Sequence, residues 1–190
     1  MAAAGGKRRR LARTVKAVAV LAAAVVATEI WVAELARVSG ASMEPALSSG
    51  DRVVFEKTVM MGGGPKRFDV VVFKAPNDPD TIYIKRVMGL PDEVVEMKGG
   101  RLLVDGMEVR TPEGVRTEGV EFGPAAVSPA HYFVMGDNAG ESVDSRQWGG
   151  VPRDYVLGRV WLRYWPIEEW KVFRRESAEL TGARDADQGI

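Results

Sequence analysis

The chain has 190 residues, 46% of them hydrophobic and 27% charged, a make-up that suits one packed domain with some further segments. It holds no cysteine and a single histidine, His131. Disulfides, thiol nucleophiles and Cys-rich zinc sites are therefore excluded, and His-based metal sites or triads are sharply limited. The net charge is zero but unevenly spread: Lys7, Arg8, Arg9, Arg10, Arg13 and Lys16 lie in the first 16 residues, which contain no acid. A basic head on a mildly acidic body does not suggest a nucleic-acid partner, whose site would be a basic patch on the folded domain.

After the basic cluster comes the uncharged run AVAVLAAAVVAT, residues 17–28, continuing as EIWVAELARV to Val38 with Glu29 and Glu34 inside it. Alone it is shorter than the ~20 residues of a spanning helix, but its flanks extend it to that length. A transmembrane anchor over 17–37 is expected, with residues 1–16 as a cytoplasmic basic end and Trp31 at headgroup level. A cleavable signal peptide and a buried or amphipathic helix of a soluble protein are the two other readings. The first two both carry residues 39–190 across the membrane.

From residue 38 onward the chain reads as β. The segments 52–57, 68–75, 81–89, 93–99 and 131–136 are rich in β-branched and aromatic residues and are punctuated by Gly, Pro and Asp. Residues 102–109, LLVDGMEV, read as a hairpin turning on Asp105-Gly106. Residues 156–166 read as a late strand stopped by Pro166. A mostly β domain over 38–168 is predicted. MGGGP (61–65) is expected to be a loop, 110–130 an irregular excursion, and 169–190 a loose polar tail.

Three clusters carry possible chemistry. In VSGASMEPALSSGD (38–51), Ser42 sits among small residues that let another backbone approach, and Pro45 fixes the local chain direction. A serine in an ordinary turn is the plainer alternative. In TIYIKRVMGLPDE (81–93), Lys85 interrupts an apolar strand. Alternation puts Tyr83, Lys85 and Val87 on one face, with Ile84 and Arg86 on the other. If the first face is buried, desolvation lowers the Lys85 pKa; bringing it from ~10.4 to neutrality near pH 7 takes roughly 4 kcal/mol. A neutral amine then serves as a general base toward a serine hydroxyl. A strand lysine that snorkels to solvent is the alternative. The third cluster, MGDNAGESVDSRQWGGVP (135–152), makes tight turns, and Asp144 and Arg146 form a candidate ion pair. His131 opens the apolar strand HYFVM with no motif around it, so a Ser-His-Asp triad is not expected.

Together the clusters resemble the type I signal peptidase family. Ser42-Met43-Glu44-Pro45-Ala46-Leu47 is similar to its nucleophile box S-M-x-P-T-L, with Ala46 in place of Thr. Tyr83-Ile84-Lys85-Arg86-Val87-Met88-Gly89-Leu90-Pro91 is similar to its general-base box. Gly136-Asp137-Asn138 with Ser142, Asp144, Ser145 and Arg146 is similar to G-D-N-R-x-x-S-x-D-S-R, with Ala139 in place of the Arg. The resemblance covers about residues 10–168.

It implies a membrane-bound serine endopeptidase that cuts signal peptides from exported preproteins, with an antiparallel β core. Ser42 would be the nucleophile and Lys85 the base. Ser142 would orient the amine, Asp144 and Arg146 would hold the loop that carries it, and Asp137 and Asn138 would support the site. The Ser42 N–H would stabilise the oxyanion; Gly40 stands where some members have a second, hydroxyl donor. Met43, Leu47, Tyr83 and Ile84 would line shallow pockets for an Ala-x-Ala-like motif. A small inserted subdomain is expected at about 99–130. The expected partners are preproteins and membrane lipid, with no cofactor and no metal, and the catalytic domain on the extracytoplasmic side. Two rivals are a self-cleaving SOS-type repressor protease, which shares the Ser/Lys dyad but would carry a DNA-binding domain before it, and an inactive membrane-tethered β-domain that binds peptides.

Overall fold

The computed structural model describes residues 15–16 and 33–175. The described residues from Leu35 onward belong to one compact unit. Most of the anchor predicted at 17–37 lies outside the described residues. Its last five do not: Ala33–Arg37 form the strand β1 rather than the end of a helix. Among the described residues no helix is long and apolar enough to cross a membrane.

The strands expected from the sequence form close to their bounds as β2 (Arg52–Glu56), β3 (Val70–Ala75), β4 (Asp78–Gly89), β5 (Val94–Lys98), the hairpin of β6 (Arg101–Val104) and β7 (Met107–Val109), β9 (His131–Met135) and β11 (Val156–Trp165), while β8 (Phe122–Ala126), β10 (Val151–Pro152) and β12 (Lys171–Val172) are strands the sequence did not announce. One sheet runs β1-β2-β11-β3-β4-β9-β10, with β12 also on β11; a four-stranded sheet runs β7-β6-β5-β8. The register is antiparallel throughout the pairs from β2 to β12. The β6–β7 hairpin turns on Asp105 (φ 50°) and Gly106 (φ 79°). Positive φ at both central residues is the turn whose twist matches paired strands.

Three expectations about the body are corrected. The stretch 110–130 is not wholly irregular: Phe122–Ala126 pairs with β5 as an edge strand, a position where Pro124 removes no needed donor. The small sheet also begins at Val94, earlier than the expected insert. The tail does not begin at 169, because β12 pairs with Leu162 and Arg163 and Phe173 is buried.

The two sheets share one core. Phe68, Met88, Phe133 and Met135 cluster with Val95, Met97, Leu102, Val104, Val109 and Val127 from the small sheet and its flanks. A second cluster joins Val38, Met43 and Leu47 to Val53, Phe55, Val70, Val72, Val160 and Phe173. A third holds Val71, Phe73, Val87, Tyr132, Val134, Val151 and Val156. These clusters fix three segments beside one another: the turn between β1 and β2, the middle of β4, and the loop after β9.

Candidate active site

The turn after β1 is closed at its base, where Val38 N–H donates to Asp51 O (2.8 Å) and Gly50 N–H to Val38 O (3.0 Å). Asp51 ties it to the sheet by accepting from Ser48 N–H (2.9 Å) and Arg163 Nη1 (3.0 Å). Inside the turn Leu47 N–H donates to Met43 O (2.9 Å), so Met43 and Leu47 point into the second cluster while half-buried Ser42 faces outward. Gly40 holds φ +86°, a conformation that a side chain would strain.

On β4, Lys85 lies opposite Val71 and is 4% exposed. Alternation places Val87 on its face, but the other face is closed as well: Arg86 and Met88 are buried too. The one-sided burial expected from alternation therefore holds only in part, because from Arg86 onward β4 is flanked by β3 and β9 and lies between the first and third clusters. Lys85 Nζ donates to Ser42 Oγ at 2.6 Å. Burial pushes its pKa from 10.5 down to about 8, with Arg146 adding to the fall and Asp144 and Asp137 opposing it.

The loop after β9 is tied down by two ion pairs. Arg86 clamps Asp137 with two bonds (2.7 and 2.6 Å) and donates to Phe68 O (2.8 Å), all buried. Arg146 clamps Asp144 (2.8 and 2.9 Å) and reaches Ala139 O (2.6 Å) and Ser142 O (3.2 Å). Asp144 is fully buried, caps the one-turn helix Ser145–Trp148, and accepts from Gly136 N–H (3.1 Å). Asn138 N–H donates to Ser42 O (3.0 Å), and Asn138 Nδ2 lies 3.4 Å from Ala41 O. Thus Ser42, Lys85, Asp137, Asn138, Asp144 and Arg146 are brought into one network. Ser142 is buried nearby, yet its Oγ has no hydrogen-bond partner among the described residues, so the bond to Lys85 that the resemblance implied is not formed here.

Of the four pocket residues, Met43 and Leu47 are 2% and 0% exposed and serve the core, so they offer no open wall. Tyr83 remains at the surface, its ring 5.8 Å from Lys85 Nζ, while Ile84 is half-buried against the second cluster. Beside them β9 pairs only with Arg86, Val87 and Gly89, so that edge of β4 from Thr81 to Lys85 has no strand partner among the described residues. His131 Nδ1 lies 2.8 Å from Pro129 O, away from this network. No group of potential metal ligands occurs among the described residues.

Two contributors were missed by sequence reading. Alternation places Arg86 on the face away from Lys85 and gives it no role, yet it anchors the Asp137-Asn138 pair that holds the Ser42 carbonyl. Gly136 is packed so closely that a Cβ would collide with Ser142 Oγ and Ser42 O. A glycine ahead of Asp-Asn hinted at a close approach; nothing in the sequence indicated what approached.

The family model "Signal peptidase, peptidase S26" matches residues 11–165. A probable signal peptidase I-2 of Synechocystis sp. is 36% identical over 80% of this chain and 73% of its own length. A signal peptidase I of Leptolyngbya laminosa is 36% identical over 72% and 71%, and signal peptidase I P of Bacillus subtilis subsp. natto 36% over 70% and 77%. The chain belongs to the signal peptidase family, peptidase S26.

Proposed function

We propose that the chain is a type I signal peptidase, a serine endopeptidase that removes signal peptides from exported preproteins, with Ser42 as nucleophile and Lys85 as base. The observation that carries the assignment of the dyad is the 2.6 Å approach of Lys85 Nζ to Ser42 Oγ in a site where the amine titrates near 8. Once neutral, Lys85 takes the Ser42 proton as Oγ attacks the scissile carbonyl, then returns it to the leaving amine. Water attacks the resulting ester, its proton passing to Lys85 and from there to Ser42 Oγ as the ester bond breaks, which regenerates Ser42 and the neutral amine. The Ser42 N–H is the proposed oxyanion donor. The strained φ at Gly40 explains why no hydroxyl side chain stands there to help it. Ser142, whose hydroxyl has no competing bond among the described residues, is the proposed partner of the amine during turnover.

The open β4 edge is suited to take the substrate as an added strand, its main chain paired along Thr81–Lys85. Tyr83 and Ile84 offer shallow apolar contact, which favours small residues before the cut, as in Ala-x-Ala. The basic cluster and the apolar run after it support a membrane anchor with a cytoplasmic N-terminus and the catalytic unit on the other side. Since Ala33–Arg37 belong to the sheet, such a span ends before residue 33.

Ser42→Ala and Lys85→Ala should each abolish cleavage of a preprotein by detergent-solubilised enzyme while circular dichroism stays unchanged. Cleavage retained by either variant would refute the dyad. Protease protection of the basic N-terminus in sealed vesicles tests the topology.

A further inference from the structure

Beyond the dyad, on the side of Asn138 and Ser142, lies a cleft of about 630 Å³. One wall is the 116–121 segment of the small-sheet region, with exposed Arg116, Glu118 and Glu121; the other is the catalytic loop, Asn138–Gly140, with Ser142 and the Arg146-Gln147 turn. Backbone bonds from Arg116 N–H to Asp137 O (2.6 Å) and from Ala139 N–H to Arg116 O (3.2 Å) fix the two walls together. The cleft is thus built into the loop that supports Ser42.

We propose that this cleft receives the first residues of the substrate after the scissile bond, the start of the mature protein, and that Arg116 reads their charge. The inference deepens the peptidase reading and rests on it. A peptide paired along the open edge of β4 cannot continue as a strand past Lys85, because β9 occupies that edge from Arg86 onward. One flank of the substrate must therefore leave the edge beside the loop that begins at Gly136. The chemistry of the two surfaces decides which flank it is. Along the β4 edge, Ile82 and Tyr83 are exposed apolar groups that suit the hydrophobic signal peptide. The cleft is lined mainly by Arg, Glu, Asn, Ser and Gln side chains and by glycines, with Val120 and Ala139 as its apolar members, so a long apolar segment would lie beside mostly polar groups there. A polar, hydrogen-bonding chain fits it, and that is the part of a preprotein that follows the cut.

Two measurements test this on the full-length enzyme in detergent. In the first, kcat/KM is compared for preproteins with Asp or Lys at the second to fourth residues after the cut. Arg116→Glu should lower the Asp-to-Lys preference by about two- to fivefold, the scale of an exposed charge pair, chiefly through KM. In the second, Gly140→Phe fills the cleft at a position where an added Cβ meets nothing within 4 Å. It should lower the ratio of kcat/KM for a long substrate over one ending two residues past the cut. An unchanged charge preference in Arg116→Glu together with an unchanged length ratio in Gly140→Phe would overturn the cleft assignment and leave the peptidase reading intact. Failure of the wild type to cleave either substrate would overturn both.

Discussion

Lys85 is where stability and reactivity oppose each other. Its pKa is lowered by folding, so the unfolded chain binds the proton more tightly, and the buried ammonium costs on the order of 3 kcal/mol wherever it is charged in both states. That cost is fully present below pH 8 and fades as pH rises toward 10.5. Lys85→Met should therefore raise the melting temperature at pH 7 by several degrees while removing activity, and the gain should shrink as pH rises above 8 and be nearly gone at about 10.5. Calorimetry at pH 7 and pH 10.5 checks this. In the proposed reaction kcat/KM should follow the same titration, rising about tenfold per pH unit below 8 and levelling off above it, because only a neutral amine can accept the Ser42 proton. Gly136 offers a steric counterpart. Gly136→Ala pushes a methyl against Ser142 and the Ser42 carbonyl, and should cost about 1–3 kcal/mol and lower kcat more than KM.

Among the elements, the loop after β9 depends most on charge. Asp144 accepts from Gly136 N–H, from Arg146 N–H and from the Arg146 guanidinium, with no exposure to water. Asp144→Ala leaves that guanidinium and two N–H groups without their acceptor, and should cost about 3–5 kcal/mol, read by urea unfolding. Sequence reading found this pair because both ends lie two residues apart in one motif. It missed the equivalent pair of Arg86 and Asp137, whose partners are 51 residues apart and meet only through the β4–β9 register. The strands were legible for the same local reason: β-branched runs and Asp105-Gly106 carry their own signals. Local signals failed where long-range pairing decides. Phe122–Ala126 contains Gly123 and Pro124, poor strand residues, and is a strand only because β5 supplies its partner. Met43 and Leu47 sit beside Ser42 in sequence, yet the i→i+4 bond of their turn directs both into the core.

For the molecule as a whole, the small sheet is not a detachable module. Phe133 and Met135 of β9 pack against Val95, Met97 and Leu102 of the small sheet, so neither sheet buries its inner face alone. Phe133→Ala should cost about 3–5 kcal/mol. The catalytic unit should still unfold in one transition, with tryptophan fluorescence and far-ultraviolet circular dichroism coincident, since Trp148, Trp161, Trp165 and Trp170 all lie outside the small sheet. Two separate midpoints would show that the sheets are independent.

The cluster beneath Ser42 draws on Val38 at one extreme and Phe173 at the other, with β12 tied to β11 and Phe173 N–H donating to Trp161 O at 2.7 Å. A ribosome releases these residues in order, so the floor under the nucleophile is completed only after residue 173 has emerged. A nascent chain that stops short of residue 171 should therefore hold Ser42 over an unfinished floor, and whatever hydrolytic power the dyad has would be gained last.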